Sequence, residues 1–155
     1  MINIIFICLV IFCVNTGYLF SQNVSIKSLN KTVSISDLTD VVQSDKSLYS
    51  GNYVYSGGFR EELVIHSNSE GSQITMVNKE YLFDELKSQI DFYNILFTDN
   101  KISAKIEIPK MSSDDEVLEP ELFEGKFVKY ENTTGIISFN KYTEEYCFYE
   151  KLNNK

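Results

Sequence analysis

The 155-residue chain has no tryptophan, a single histidine and three cysteines. Two of those cysteines, Cys8 and Cys13, lie among the first twenty-two residues, so beyond them only Cys147 remains. A domain made of the rest can form no internal disulfide and must be held by packing. A eukaryotic secreted domain of this size is more often stapled, which points to a bacterial envelope protein. One His and one Cys cannot supply the three or four ligands of a zinc site. The acidic run "SSDDEVLEPELFEG" offers Asp114, Asp115, Glu116, Glu119, Glu121 and Glu124, but its spacing matches no EF-hand.

Catalytic equipment is equally sparse. His66 is the only conventional base. Glu62, on the same face of the same expected strand, is about 13 Å away by strand rise. No Gly-x-Ser-x-Gly elbow and no phosphate-cradling glycine loop occurs. Cys147 sits in an aromatic-rich strand, where a thiol is an inert small hydrophobe. The expectation is a protein that is not an enzyme and uses neither cofactor nor metal. His66, alone and next to a turn, reads as a solvated rim residue. The formal net charge of −8 and the lack of a basic patch speak against nucleic acid and anionic membranes as partners.

The first twenty-two residues carry no charged side chain. Their apolar stretch, residues 4–14, has the length of a signal h-region and is short for a bilayer span. Residues 1–22 are therefore expected to be a signal peptide, with an uncut anchor as the alternative. Residues 23–155 form a single domain, exported to the periplasm or secreted, monomeric, and without a membrane span once the signal is removed.

What the chain does have is alternation. "EELVIHSNSEGSQITMV" separates Leu63, Ile65, Ile74 and Met76 from Glu62, Val64, His66, Gln73 and Thr75 if residues 68–71 make the turn, which pairs His66 with Gln73. "KISAKIEI" puts Ile102, Ala104, Ile106 and Ile108 on one side. A turn at Asp99-Asn100 brings Tyr93, Ile95 and Phe97 to that side and leaves Phe92 and Leu96 on the other. A third hairpin, turning at residues 132–135, has Val128, Tyr130, Ile137 and Phe139 as its apolar face. The final strand, "EYCFYEK", places Tyr146 and Phe148 opposite Cys147 and Tyr149.

Nearer the N-terminus "VSIKS" and "TVSI" can pair around Asn30-Lys31. "SDLTDVVQS", with Ser34 and Asp37 at capping-box spacing, reads as a short helix. "EYLFDELKSQ" fits a helical turn or a bulged strand, and residues 109–120 fit an acidic loop. Phe and Tyr without Trp suit a pleated surface. The chain is therefore mainly β, an antiparallel meander of about eight short strands. A small up-and-down barrel with a short N-terminal helix is favoured over a β-sandwich.

A short helix, then Gly51-Asn52-Tyr53 opening a strand, then a run of hairpins resembles the lipocalin-like (calycin) proteins. Their barrels begin with Gly-x-Trp, the aromatic closing one end; here Tyr53 stands in its place. The likeness covers most of residues 23–155 as topology and three residues as motif. The family's Arg near the chain end, packing over that aromatic, is not matched; Lys151 is the nearest cation. The resemblance implies a barrel with a cavity for a small apolar ligand. Tyr53, Tyr55, Phe92, Tyr146, Phe148 and Tyr149 would line that cavity or fill the core. The alternative function is a protein-interaction module, an inhibitor or assembly factor, whose acidic residues 114–124 meet a basic partner. A hydrolase comes third.

Overall fold

The structure is a computed structural model and describes residues 22–57, 60–106 and 119–152. The expected signal segment and most of the acidic loop lie outside the described residues. Eleven strands follow in chain order: β1 (Asn23–Ile26), β2 (Lys31–Ser34), β3 (Thr39–Asp40), β4 (Gly51–Ser56), β5 (Arg60–Ser67), β6 (Ile74–Leu82), β7 (Glu85–Thr98), β8 (Lys101–Ile106), β9 (Glu121–Tyr130), β10 (Thr133–Asn140) and β11 (Glu145–Lys151). From β4 to β11 each strand pairs antiparallel with the next, and β11 returns to β4 through Glu150↔Val54 and Lys151↔Tyr53. Eight strands thus close into an up-and-down barrel, which removes the sandwich alternative. Closure leaves the ring no free edge.

The hairpins occur where alternation puts them, with instructive shifts. In β5–β6 the partner of His66 is Thr75 rather than Gln73, and the connection spans residues 68–73. Asn68 is the reason: its Oδ1 accepts from the Ser72 and Gln73 backbone N–H groups, and Gly71, at φ 72°, completes the loop. The shift is by two residues, so Leu63, Ile65 and Met76 still share the buried face. The β7–β8 turn is at Asp99-Asn100 as expected. Its Asn100 side chain is committed, donating to the Phe127 carbonyl at 3.3 Å, a role a glycine could not fill.

Two faces are corrected. A bulge in β7, with Asn94 at φ 50° and a register shift between Tyr93 and Leu96, reverses the alternation. Phe92 therefore points inward with Ile95 and Phe97, while Tyr93 faces out. In β9–β10 the turn is at Glu131-Asn132, ahead of the expected residues 132–135. The face of Val128 and Ile137 is buried, yet it is the outer face of the wall. Phe123, Phe127 and Ile136 face the interior.

The outer face is buried because the β1–β2 hairpin lies on it. Val24, Ile26 and Val33 pack against Val128, Ile137 and Phe148 in a second core. Ser28 N–H donates to Glu150 and Lys31 pairs with Glu131 at 2.8 Å, tying the hairpin down at its edges. The expected short helix is only a 3₁₀ turn, Ile35–Asp37. The chain then leaves helical geometry because β9 extends beyond β8 and takes Thr39 and Asp40 as a further strand, with Val41 N–H bonding Phe127 O at 2.9 Å. "EYLFDELKSQ" is likewise no helix; it is the tip of the β6–β7 hairpin, with a register shift at Glu80 and Tyr81.

Candidate functional site

The two ends of the barrel differ. At one end a 3₁₀ turn, Lys46–Tyr49, lays Tyr49 across the opening. Its ring stacks on Phe127 with centroids 4.1 Å apart, and Phe97 and Tyr53 meet Phe127 edge-on at 5.8 and 5.9 Å. Hydrogen bonds hold the plug: the Tyr53 hydroxyl donates to Tyr49 O at 2.6 Å, and the Tyr49 hydroxyl accepts from Gln43 N–H at 2.9 Å. Burial raises both phenols above their ordinary value, Tyr53 strongly. Lys151 completes the seal. Its ammonium lies 5.6 Å from the Tyr53 ring centroid and donates to Leu48 O at 2.8 Å. A Cβ on Gly51 would stand 2.7 Å from the Lys151 Cε, so the glycine leaves room for the lysine stem. The Gly51-Asn52-Tyr53 motif and Lys151 therefore act as one closure.

The other end is open. A pocket of about 350 Å³ enters the barrel there, between the inner faces of β5–β11. Part of its wall is apolar and aromatic. Phe92 meets Phe123 edge-on at 5.6 Å, and Phe123 meets Tyr149 at 6.5 Å. Leu63 and Ile106 add aliphatic surface. Polar side chains share the lining almost equally, among them Glu61, Asn78, Glu121, Ser138, Asn140 and Lys141. The Tyr149 hydroxyl donates to Glu61 Oε2 at 2.9 Å. Asn78 Oδ1 is buried and finds no donor among the described residues. At the rim Lys141 pairs with Glu121 at 3.4 Å.

Burial, above all, and then Glu80 raise the Glu61 carboxyl above its ordinary value, against the hydrogen bond from Tyr149, which lowers it. Glu80 on β6, Tyr149 and Cys147 on β11 and Tyr55 on β4 are the titratable groups around it. A carboxyl raised in the folded state holds its proton more tightly there than in the unfolded chain. Its contribution is present below the unfolded value, near 4.5, and is lost as pH rises through the folded value. Glu61→Gln keeps an acceptor for Tyr149 and removes the titration. The variant should gain stability over wild type as pH rises past that window. Urea midpoints across a pH series test this; parallel curves for the two proteins would refute it.

Of the six aromatics expected to line a cavity or fill the core, Phe92 and Tyr149 line the pocket. Tyr53 belongs to the closed end. Tyr55 sits inside at the β4–β11 seam, 5.5 Å from Tyr149; burial, then the neighbouring Cys147 thiol and Glu61, hold its phenol up at about 12. Tyr146 and Phe148 face outward into the second core. A larger groove, about 660 Å³, runs outside the barrel between the seam and the β1–β2 hairpin, edged by Lys27, Lys31 and Glu150. Three important residues escaped sequence reasoning. Phe123 and Phe127 were hidden behind the better alternation of their neighbours, and Asn78 carries no local signal. Glu61 was legible only as a rim charge.

No family model, curated protein or solved structure matches the chain. Among the described residues no cluster of His, Cys, Asp and Glu could hold a metal ion, and no helix is long and apolar enough to cross a membrane. Cys147 is buried, and burial raises its thiol, which leaves little thiolate. His66 is exposed on the outer face, away from the pocket. His66→Ala should shift stability by no more than about 0.5 kcal/mol in thermal unfolding, as for an ordinary surface position.

Proposed function

We propose that the protein is a non-enzymatic, exported, calycin-like barrel that binds a small apolar ligand at its open end. The observation that carries this reading is the asymmetry of the barrel. One end is sealed by Tyr49, Tyr53, Phe127 and Lys151, and the other holds an aromatic-walled pocket of about 350 Å³. Ligand pockets are concave, mostly apolar and furnished with a few placed polar groups. Lys151 over Tyr53 supports the calycin analogy, since it does with Lys and Tyr what that family does with Arg and Trp. Fold alone does not carry function, so the pocket must be tested directly.

The test uses prodan, a neutral fluorescent naphthalene dye, and the variant Ile106→Trp, which adds bulk to the pocket wall. Wild type should bind the dye with a blue-shifted emission, and the variant should bind it at least about tenfold more weakly, the scale of 1.4 kcal/mol, with unchanged melting. A wild-type protein that leaves the dye in water, or a variant that binds it equally well, would sink the proposal.

A second reading, a protein-interaction module, is favoured by an apolar groove on the outer wall. Leu96, 63% exposed, and Phe139, 41% exposed, flank it beside Ile35 and Tyr146. Native mass spectrometry of protein from its own host separates the two, showing a small-molecule adduct or a co-purifying chain.

A further inference from the structure

Resting on the ligand-binding reading, we infer that the ligand is a primary amine, its ammonium group held between Glu61 and Asn78 and its apolar body between Phe92, Phe123 and Tyr149. The register places the two polar residues together. Glu61 faces Glu80 across β5–β6, and Leu63 faces Asn78, so Glu61 and Asn78 are diagonal neighbours on the inner face. Such positions are about 7–8 Å apart, a span one head group can bridge.

Both groups accept hydrogen bonds. Asn78 Oδ1 is buried with no donor among the described residues, and a buried acceptor in that state is costly. Glu61 takes one donor, from Tyr149, through Oε2. A carboxylate has lone pairs for more. An ammonium group brings three donors and no acceptor, which matches this demand.

A carboxylate ligand would fit badly. It brings no donor at neutral pH and meets Glu61, with Glu80 behind it. Lys141, the cation at the pocket, is already paired with Glu121. Arg60 is engaged with Asp84 at 3.4 Å. A neutral alcohol brings one O–H donor, enough for Asn78 or for Glu61 but not for both, and it carries no positive charge to pair with the carboxylate. The aromatic walls suit a ring-sized body and add attraction for a cation near their faces.

The experiment compares tryptamine, tryptophol and indole-3-propionate, which share one ring and differ in head group. Because the chain has no tryptophan, indole emission reports the ligand alone. Wild type at neutral pH should bind tryptamine about tenfold or more tightly than tryptophol, because only the amine brings a positive charge and donors for both acceptors, and indole-3-propionate most weakly. Glu61→Gln should bring tryptamine down to the level of tryptophol and leave tryptophol unchanged. Asn78→Leu should weaken both. Equal binding of tryptamine and tryptophol by wild type, preference for the carboxylate, or an amine preference that survives Glu61→Gln would overturn the inference. If prodan still binds in those cases, the ligand-binding reading stands and only the amine assignment falls. If prodan and all three indoles fail to bind, both fall.

Discussion

Replacing Phe127 with alanine should destabilise the protein by about 3–5 kcal/mol, the range for truncating a large buried aromatic. Phe127 has no exposed surface and is the hub of the closed end, touching the Tyr49, Tyr53 and Phe97 rings. Its backbone is also engaged: the carbonyl accepts from Val41 N–H and from the Asn100 side chain, and the N–H donates to Asn100 O at 2.7 Å. The cavity left by alanine could not collapse easily, because hydrogen bonds fix Tyr49 and Tyr53 from behind. Domains of this size hold only about 5–15 kcal/mol in total, so the loss is a large share of the whole. Thermal unfolding should show a midpoint lower by roughly 10 °C or more. Phe127→Leu should recover most of it. A shift of only a degree or two for the alanine variant would mean that the plug does not hold the barrel together.

Ile26→Asp should produce the second large effect, and a different kind of effect. Ile26 is fully buried, in the outer core between the β1–β2 hairpin and the β9–β11 wall. A carboxylate there has no partner, and an unpaired buried charge costs several kcal/mol or is avoided by local opening. Undocking the hairpin is the available opening. It would uncover Val128, Ile137 and Phe148 while the barrel's inner core stays intact. The expected result is fast amide exchange confined to residues 23–40, increased binding of a hydrophobic dye, and a native-like inner core in near-ultraviolet dichroism. Global unfolding with loss of the tyrosine dichroism would show instead that the outer core and the barrel form one cooperative unit.

Much of the architecture was legible because alternation is a local property. Leu63, Ile65 and Met76, and Ile102 and Ala104, declare their face within a few residues, and the Asp99-Asn100 turn declares itself. Where two apolar faces compete, local pattern no longer decides. Val128 and Ile137 alternate as well as any core strand, yet they face out, because a hairpin about a hundred residues earlier in the chain lies over them. The Asn94 bulge that turns Phe92 inward depends on β7 serving β6 with its first half and β8 with its second. The Ile35–Asp37 turn stops short because the free length of β9 takes the next residues into the sheet.

The candidate site shows the same division. Tyr149 and Phe92 were visible as aromatics, but their common pocket exists only because the ring closes. Asn78 looks like any strand asparagine until its carbonyl is found buried beside Glu61. Lys151 gained its meaning by meeting Tyr53 across the seam, a contact between the two ends of the meander.

The sequence by itself determined a mainly β meander, the turn positions to within a few residues, and the poverty of catalytic and metal-binding groups. These follow from side-chain alternation, turn chemistry and composition, which act over a handful of neighbours. Ring closure, the sealed end, the inward and outward faces of β9–β10 and the pairing of Glu61 with Asn78 in one pocket were decided only by tertiary structure. Each depends on groups far apart in the chain, whose meeting is set by which surfaces can be buried together.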